Sequence, residues 1–318
     1  MTAPVRTLTA VSSGRLEFVE SARPSLGPGE VAGTTLASIL SPGTEISMAY
    51  PVEPRYPFPV PLGYSSVFRI DEVGAEVTDR EVGQVVMSMG PHASWQVRSA
   101  AQTFPLPDGL DASLATFSRI MNIPLSIIAT SSIRSGTGAG VIGLGLIGQL
   151  SARVLAACGF DVVAADESAE RRDLLDQSVR GVAELAQGSV SLVIECSGHE
   201  RNALAGVRAL RPHGELALAG VPWRRRDDTY FFDVSDVVFH NFLTVRSGWE
   251  WQVPVRAEGM SDGHDMAAQF HTAMRMLNDG VVAVDGLSSP IRPDGIVPAY
   301  EQIRQRRAAT LTFVVDWT

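Results

Sequence analysis

The sequence predicts an α/β protein with two domains, one an irregular β domain and the other a doubly wound parallel sheet. Its 318 residues exceed what one compact core usually covers. In the first 110 residues, short alternating apolar runs are broken by glycine and proline, which is typical of β structure. After residue 135, short apolar strands alternate with helical patterns, which indicates a parallel sheet with crossover helices.

The N-terminal part is predicted to form strands followed by one helix. The apolar runs that give these strands are Val31–Ile39, Val67–Val73, Val85–Met89 and Trp95–Val97. From Ala112 the apolar spacing becomes helical, and Asp111 is placed to cap the helix start. The predicted apolar face of this helix consists of Leu114, Phe117, Met121 and Leu125. Pro124 should kink or split the helix, because proline removes a backbone donor.

The central part is predicted to form the parallel sheet. Its candidate strands read AGVIG, FDVVAAD, VSLVIECSG, GELALAGV and FLTVRSG. A long amphipathic helix, HDMAAQFHTAMRMLNDG, follows and ends on a glycine that can supply a left-handed cap. Residues 287–291, a short helix at 300–304 and the strand LTFVVDW should then rejoin the N-terminal domain. The predicted domains are therefore 1–135 with 264–318, and 136–263.

Composition excludes several classes of protein. The 35 acidic residues outnumber the 26 basic ones, and a net charge of −9 argues against a nucleic-acid partner. The absence of lysine excludes Schiff-base chemistry and a phosphate-loop lysine. With only two cysteines and six scattered histidines, we predict no metal site. No stretch approaches the roughly 18 apolar residues of a membrane span, so we predict a cytoplasmic protein without a membrane partner.

The strongest motif is a glycine-rich turn, GLGLIG, that follows an apolar strand and opens a helix. Its first glycine allows a tight turn, its second lets the backbone approach a pyrophosphate, and its third lets helix and strand pack closely. The N–H groups of the helix N-terminus favour the negative phosphates. The predicted phosphate-binding residues are Gly143, Gly145, Leu146, Ile147 and Gly148.

An acidic residue after the second strand of this unit completes a dinucleotide-binding pattern. Asp166 follows the last glycine of the turn by 18 residues and is predicted to accept hydrogen bonds from ribose hydroxyls. Together with Glu167 it should repel a 2′-phosphate, so we predict NAD, with NADP less favoured. Arg171 tempers this preference because an arginine can pair with a 2′-phosphate. The alternative role for Asp166 is to cap the next helix.

Two further strand ends belong to the predicted cofactor site, because ligands bind where the carboxyl ends of parallel strands meet. Small residues at these ends would let a nicotinamide ring lie against the backbone. The residues are Ser197, Gly198, Gly220 and Val221. Cys196, within the same segment, is predicted to be a buried strand residue rather than a nucleophile.

The order of these parts resembles the medium-chain dehydrogenase/reductase superfamily over nearly the whole chain. In that family, a Rossmann domain interrupts a GroES-like irregular β-barrel catalytic domain. SPGTE at 41–45 resembles the family's CGTD segment, and PLGYSSVFRIDEVGAEV resembles its GHE segment and the GxVxxVG run. With GPH at 90–92 and the terminal DW, these motifs are similar to the branch that includes bacteriochlorophyllide dehydrogenase.

The chain departs from this family at the positions of the metal ligands. The resemblance places Pro42 where zinc-dependent members have a ligand cysteine, Tyr64 where they have a histidine, and Ser65 where they have a glutamate. The four-cysteine lobe of the structural zinc has no counterpart either. The resemblance therefore implies a zinc-independent member that polarises a carbonyl with hydrogen-bond donors.

Four residues are candidates for the catalytic machinery, each with an alternative role. Thr44 resembles the family's proton-relay hydroxyl, or it stabilises a turn. Tyr64 is placed to donate its phenol proton, or it packs in a domain interface. His92 can titrate near neutrality, or it is a solvated loop histidine. Glu45 acts on the reaction, or it only orients backbone or an arginine.

The sequence thus predicts a zinc-independent, NAD-dependent oxidoreductase that interconverts a secondary alcohol and a ketone on a small or medium organic molecule. Two alternatives stay open: a reductase of activated C=C bonds, and an NAD-binding protein with a non-redox role. The resemblance also implies a homodimer through the last strand of the parallel sheet. Trp249 and Trp251, after that strand, line either the interface or a substrate pocket. The run 224–226 of three arginines is a solvated face or binds an anionic group of the substrate.

Overall fold

The computed structural model describes residues 3–52, 55–257 and 265–318. The chain forms two compact units. Unit 1 comprises Met1–Arg119, Phe270–Gly280 and Val284–Thr318, and unit 2 comprises Ile120–Gln269 and Val281–Ala283. The domain ranges 1–135 with 264–318, and 136–263, stay a prediction, and their junction at 263/264 lies outside the described residues.

The secondary structure alternates between β-rich and α/β segments along the chain. The strands are β1 (Val5–Ser12), β2 (Arg15–Ser21), β3 (Glu30–Ile39), β4 (Val60–Pro61), β5 (Ser66–Val73), β6 (Val85–Ser88), β7 (Trp95–Ser99), β8 (Thr103–Pro105), β9 (Gly138–Ile142), β10 (Asp161–Ala165), β11 (Arg180–Val182), β12 (Val190–Glu195), β13 (Leu210–Leu218), β14 (Thr244–Ser247), β15 (Ser288–Ile291) and β16 (Thr312–Asp316). The helices are α1 (Thr44–Ala49), α2 (Ala112–Ala115), α3 (Ser118–Thr130), α4 (Leu146–Ala157), α5 (Ala169–Arg172), α6 (Glu200–Ala209), α7 (Phe231–His240), α8 (Met266–Asn278) and α9 (Ile296–Arg304).

Unit 1 holds two sheets in its described residues. The smaller has the order β2-β1-β4, and both of its pairings are antiparallel. The larger has the order β15-β16-β3-β5-β6-β8, and β7 also pairs with β3. Strand β16 runs antiparallel to β3, so the tail of the chain joins the N-terminal sheet, as the sequence predicts. A core cluster joins α9 to these strands through Leu8, Leu40, Tyr300, Phe313 and Val315.

Unit 2 is built on a parallel sheet with the order β11-β10-β9-β12-β13-β14 in its described residues. All five pairings are parallel, and the order reverses between β9 and β12, as in a doubly wound sheet. This confirms the predicted α/β fold class. The sequence analysis missed β11, because a three-residue strand with mostly exposed side chains carries no apolar run.

The central strands of unit 2 are buried on both faces. Along β12, Leu192 and Ile194 pack into one apolar cluster, while Val193 packs into a second. Strand β9 divides its side chains in the same way, with Val141 in the first cluster and Ile142 in the second. Residues on both faces of these central strands therefore pack against apolar neighbours, which accounts for the apolar run Leu192–Ile194 within β12.

The helical segment after Asp111 differs from the prediction in where it breaks. Asp111 does cap α2, accepting from the backbone N–H groups of Ser113 and Leu114. The break falls at residues 116–117, whereas α3 runs unbroken through Pro124. A split at Pro124 is therefore wrong, since buried neighbours on α3 offset the lost hydrogen bond. Leu114, predicted on the buried face, is exposed.

One helical stretch of the described residues, Ala112–Thr130, is long and apolar enough by composition to cross a membrane. Most of it is buried inside the protein, which is typical of a core helix. Helix α8 ends before Gly280, whose φ of +67° provides the predicted left-handed turn. The predicted start of α8 at His264 lies outside the described residues.

Candidate functional site

The glycine turn of unit 2 has the geometry that its sequence predicts. Gly143, after β9, has a φ of +89°, which side chains other than glycine rarely adopt. A Cβ on Gly148 would lie 1.8 Å from the carbonyl oxygen of Gly143, so close packing excludes any side chain there. A Cβ on Gly145 would meet nothing within 4 Å, which leaves this backbone open to a ligand. Leu146 and Ile147 form the first turn of α4, where backbone N–H groups lack helical partners.

Asp166, directly after β10, connects the glycine turn to this neighbouring strand by a hydrogen bond. Its carboxylate accepts from the backbone N–H of Leu144 at 2.7 Å and from that of Ser168 at 2.9 Å. The cap of α5 is Ser168, so the alternative role of Asp166 as a helix cap is not realised. The guanidinium of Arg171 lies 3.4 Å from the same carboxylate, so the positive charge of Arg171 is directed at Asp166.

The carboxyl ends of β9, β12 and β13 converge beside this turn. A Cβ on Gly143 would lie 2.9 Å from that of Ser197, and one on Gly220 would lie 2.1 Å from the backbone nitrogen of Gly198. A Cβ on Gly198 would in turn lie 2.6 Å from the carbonyl oxygen of Val221. The structure therefore brings the predicted cofactor residues together at one edge of the parallel sheet, where ligands bind in such folds.

A buried carboxylate that the sequence analysis did not single out organises this edge. Glu195 accepts from the hydroxyl of Ser197, and from the backbone N–H groups of Ser197 at 2.7 Å and Gly198 at 3.0 Å. Burial raises the pKa of Glu195, and these hydrogen bonds oppose the rise. Cys196 follows β12 directly and is half-buried, so it is not the buried strand residue that the sequence predicts; burial and the adjacent Glu195 raise the pKa of its thiol, which disfavours the thiolate.

In unit 1, the predicted residues Glu45 and His92 belong to one buried network. Their side chains are 1% and 0% exposed, and the Nε2 of His92 lies 3.0 Å from a carboxylate oxygen of Glu45. The same oxygen accepts from the phenol of Tyr300, and the other accepts from the backbone N–H of Ser41 at 2.6 Å. Three donors therefore satisfy the buried Glu45 carboxylate. Burial of His92 excludes the solvated-loop alternative.

The remaining nitrogen of His92 is fixed by Ser38. The hydroxyl of Ser38 lies 2.8 Å from the Nδ1 of His92 and 2.9 Å from the indole nitrogen of Trp317. Indole can only donate, so the Ser38 hydroxyl accepts from Trp317 and keeps its own proton and a second acceptor site for Nδ1. Because a carboxylate only accepts, the proton between Nε2 of His92 and Glu45 is donated by the imidazole.

Tyr64 connects to this network through Ser41 and is half-buried. Its phenol donates to the hydroxyl of Ser41 and is also hydrogen-bonded by Thr44, the first residue of α1. The guanidinium carbon of Arg119 lies 4.9 Å from the centre of the Tyr64 ring. Burial raises the pKa of Tyr64, while the charge of Arg119 and the hydrogen bonds with Ser41 and Thr44 oppose that rise.

The positions that resemble zinc-ligand positions do not fit a zinc ion. Pro42 offers no donor atom, and the hydroxyl of Ser65 is 2.8 Å from the carbonyl of Thr116, to which it donates. The Tyr64 phenol is engaged by its neighbours. Among residues 3–52, 55–257 and 265–318, no three or more His, Cys, Asp or Glu side chains group as a metal site.

The remaining candidates lie on the surface of unit 2. Trp249 and Trp251 are both exposed. Arg225 pairs with Asp228 at 2.8 Å, and the backbone N–H of Arg226 donates to Glu200, so this arginine run contacts neighbouring acidic residues.

Comparison with known proteins finds an alcohol dehydrogenase-like relative in sequence. No family model matches the chain. An uncharacterised zinc-type alcohol dehydrogenase-like protein of Escherichia coli K12, YdjL, is 27% identical over 176 residues. That match covers 49% of this chain and spans about half, 45%, of the relative.

Solved structures match over almost the whole chain. Galactitol-1-phosphate dehydrogenase from Escherichia coli superposes with a TM-score of 0.83 at 19% identity, covering 98% of this chain and 99% of that one. A putative zinc-binding dehydrogenase from Sinorhizobium meliloti, bound to NADP, gives 0.80 at 19%, covering 99% and 100%. Acetophenone reductase from Geotrichum candidum, in complex with NAD, gives 0.83 at 13%, covering 99% and 98%. The chain therefore has the fold of the medium-chain alcohol dehydrogenases.

Proposed function

We propose that this protein is a member of the medium-chain dehydrogenase/reductase superfamily that interconverts a secondary alcohol and a ketone with NAD and without zinc. The observation that carries this proposal is the glycine turn of residues 143–148. Its first and third glycines are tightly packed, its second glycine is open to a ligand, and the carboxylate of Asp166 accepts from a backbone N–H of the turn. The SPGTE and GPH motifs support a place near the bacteriochlorophyllide dehydrogenase branch.

The preference for NAD over NADP rests on charge. Asp166 and Glu167 lie at the end of β10, where a 2′-phosphate would meet two carboxylates. The guanidinium of Arg171 lies 3.4 Å from the Asp166 carboxylate, so its positive charge is already directed at that group. A ribose with free hydroxyls can instead donate to Asp166, as NAD requires.

Different residues of the chain would bind the cofactor, transfer the proton and position the reacting groups. A bound nicotinamide would accept or supply the hydride. The glycine turn and the first turn of α4 would hold its pyrophosphate. The adjoining strand ends are formed by Ser197, Gly198, Gly220 and Val221. The proton of the alcohol passes through Thr44, Tyr64 or His92, and the buried Glu45 acts by positioning. No step uses a metal, because Pro42 and Ser65 offer no ligand set.

This function is tested by metal analysis and calorimetric titration of one purified sample, followed by a panel of secondary alcohols. We expect no stoichiometric zinc, NADH binding at least about tenfold tighter than NADPH, and NAD reduction with members of the panel. Stoichiometric zinc whose removal stops turnover would contradict the zinc-free mechanism. Turnover of enones with NADPH and of no alcohol would favour the C=C reductase. Tight NAD binding without any turnover would favour a non-redox role.

The same titration with Asp166→Ser isolates the cofactor preference. Removing this carboxylate takes away an acceptor for the ribose and a repulsive charge, so the ratio of NADH to NADPH affinity should fall about tenfold. Asp161→Ser, on the exposed start of β10, is the matched control and should leave the ratio unchanged. An unchanged ratio in Asp166→Ser contradicts the assignment.

We also propose a homodimer that forms through β14, and a cytoplasmic location without nucleic-acid or membrane partners. Strand β14 is the last in the sheet order and its far edge is available to pair with a second copy. Beside it, α7 and its flanks expose large aromatic side chains, each between 69% and 83% exposed: Tyr230, Phe231, Phe232, Phe239 and Phe242.

The dimer is tested by the mass in solution. Phe231→Asp with Phe239→Asp should convert a dimer of about twice 34.0 kDa into a monomer in light scattering after size exclusion. Val19→Asp and Val82→Asp, on exposed surfaces of unit 1, provide matched charge controls that should remain dimeric. A monomeric parent protein would contradict the proposal.

A further inference from the structure

We infer that Tyr64 is the group that transfers the proton, with Ser41 as its hydrogen-bond partner and Arg119 as the fixed cation that stabilises its phenolate. This inference rests on the proposed function and selects among its candidate donors. All three residues belong to unit 1. Neither Ser41 nor Arg119 was a candidate in the sequence: Ser41 begins the SPGTE segment but was given no role, and Arg119 belongs to no motif.

The first step is that the other candidates are less suited to touch a substrate. His92 is fully buried, and both of its ring nitrogens are engaged, by Ser38 and Glu45. Thr44 carries an aliphatic hydroxyl, a far weaker acid than a phenol, and it is hydrogen-bonded to Tyr64 itself. Tyr64 is only half-buried and carries a phenol. It is the phenol among these donors, and the residue keeps some exposure to solvent, although burial raises its pKa.

The second step is that the phenol is held by two hydroxyl groups. Tyr64 and Ser41 share a short hydrogen bond, and Thr44 contacts the same phenol oxygen. Hydroxyl protons rotate, so Ser41 and Thr44 can accept from the phenol and can donate to the phenolate after its proton leaves. Ser41 is itself fixed, since its backbone N–H donates to the buried Glu45 carboxylate.

The third step is the charge balance around the phenol. Arg119 on α3 is buried with its guanidinium carbon 4.9 Å from the ring centre, and a guanidinium keeps its charge at any working pH. Glu45 on α1 and Tyr300 on α9 face the same region and disfavour a phenolate, and His92 bonds to Glu45. Burial and the negative charge of Glu45 disfavour the phenolate form of Tyr64, whereas the positive charge of Arg119 favours it.

The proton and electron balance follows directly. In the direction of reduction, the carbonyl carbon would take a hydride from a bound reduced nicotinamide, and the C=O π pair would move onto oxygen. The O–H bond of Tyr64 breaks, and the substrate oxygen takes that proton to give the alcohol. The phenolate that remains is stabilised by Arg119, Ser41 and Thr44 until water returns a proton. Oxidation reverses each step.

The inference is tested on the full chain carrying a fluorotyrosine at position 64, whose single ¹⁹F resonance reports the ionisation of that phenol alone. Arg119→Gln should raise the pKa of this phenol by about one unit or more, a tenfold loss of acidity, and Arg119→Lys should restore most of it. Arg153→Gln removes another buried arginine, located in unit 2, and should leave the resonance unchanged.

Kinetics on the unlabelled protein provide the second readout. Arg119→Gln should lower kcat for ketone reduction about tenfold or more with little change in KM, and Arg119→Lys should recover activity. Ser41→Ala removes only a hydroxyl and should also lower kcat, which keeps a test available if Arg119→Gln does not fold. An unmoved ¹⁹F titration, or unchanged kcat in both variants, overturns the inference. A parent protein that turns over no alcohol or ketone instead overturns the proposed function.

Discussion

Tyr64→Phe should lower the turnover number for ketone reduction by about ten- to a thousandfold while NADH affinity stays intact. The substitution removes one oxygen and preserves the ring that lies beside Arg119. The glycine turn that is proposed to bind the cofactor lies in unit 2 and contains none of the atoms changed. Stopped-flow measurement of nicotinamide absorbance gives the rate, and calorimetry gives the dissociation constant.

A matched substitution separates the proton-transfer role from general effects of losing a phenol. Tyr56→Phe, at an exposed tyrosine of unit 1, should leave turnover unchanged. If Tyr64→Phe retained full turnover, the proton would have to pass through Thr44 or His92 instead. If NADH affinity fell together with turnover, the phenol would belong to cofactor binding rather than to proton transfer.

Gly148→Ala should abolish measurable NADH binding and destabilise unit 2 by about 2–3 kcal/mol. Its new methyl group would lie 1.8 Å from the carbonyl oxygen of Gly143, and neither backbone segment can yield without displacing α4 from β9. Urea unfolding followed by far-ultraviolet circular dichroism measures the loss of stability, and calorimetry measures the loss of binding.

Gly145→Ala is the informative control because it affects binding alone. Its φ of −70° suits any residue, and its methyl group would meet no atom of the protein within 4 Å. Stability should therefore match the parent protein, while NADH binding weakens because the methyl occupies the approach of the pyrophosphate. Unchanged NADH affinity in Gly145→Ala would show that the pyrophosphate does not approach this glycine.

Local sequence patterns predicted the parts of the molecule in which neighbours along the chain decide the structure. The turn at 143–148 depends on glycines a few residues apart, and the fold of unit 2 depends on alternating strands and helices. Strand β11 escaped detection because it has no apolar run. The sequence analysis placed the helix break at Pro124 because it judged the destabilising effect of proline on a helix without the packing of the neighbouring residues.

The network of unit 1 was only partly visible in the sequence because its members are far apart along the chain. Glu45 and His92 were proposed from motifs, yet the contact that holds Glu45 comes from Tyr300, 255 residues away. Trp317 reaches Ser38 across 279 residues. No periodicity or spacing connects such positions, so only the folded chain reveals that Glu45 has a full set of donors.

The sheet order of unit 1 also determines which unit can fold first during synthesis on the ribosome. Strand β16 lies between β3 and β15, but Thr312 is made 273 residues after Ile39. The end of β3, Ala37–Ile39, therefore stays without its β16 partner during that interval, although β7 can already pair with the first half of β3. The sheet of unit 2 is continuous in sequence and can close during that interval. Nascent chains arrested before residue 312 should therefore protect unit 2 from protease while leaving unit 1 open to cleavage and to chaperones that bind unpaired strand edges.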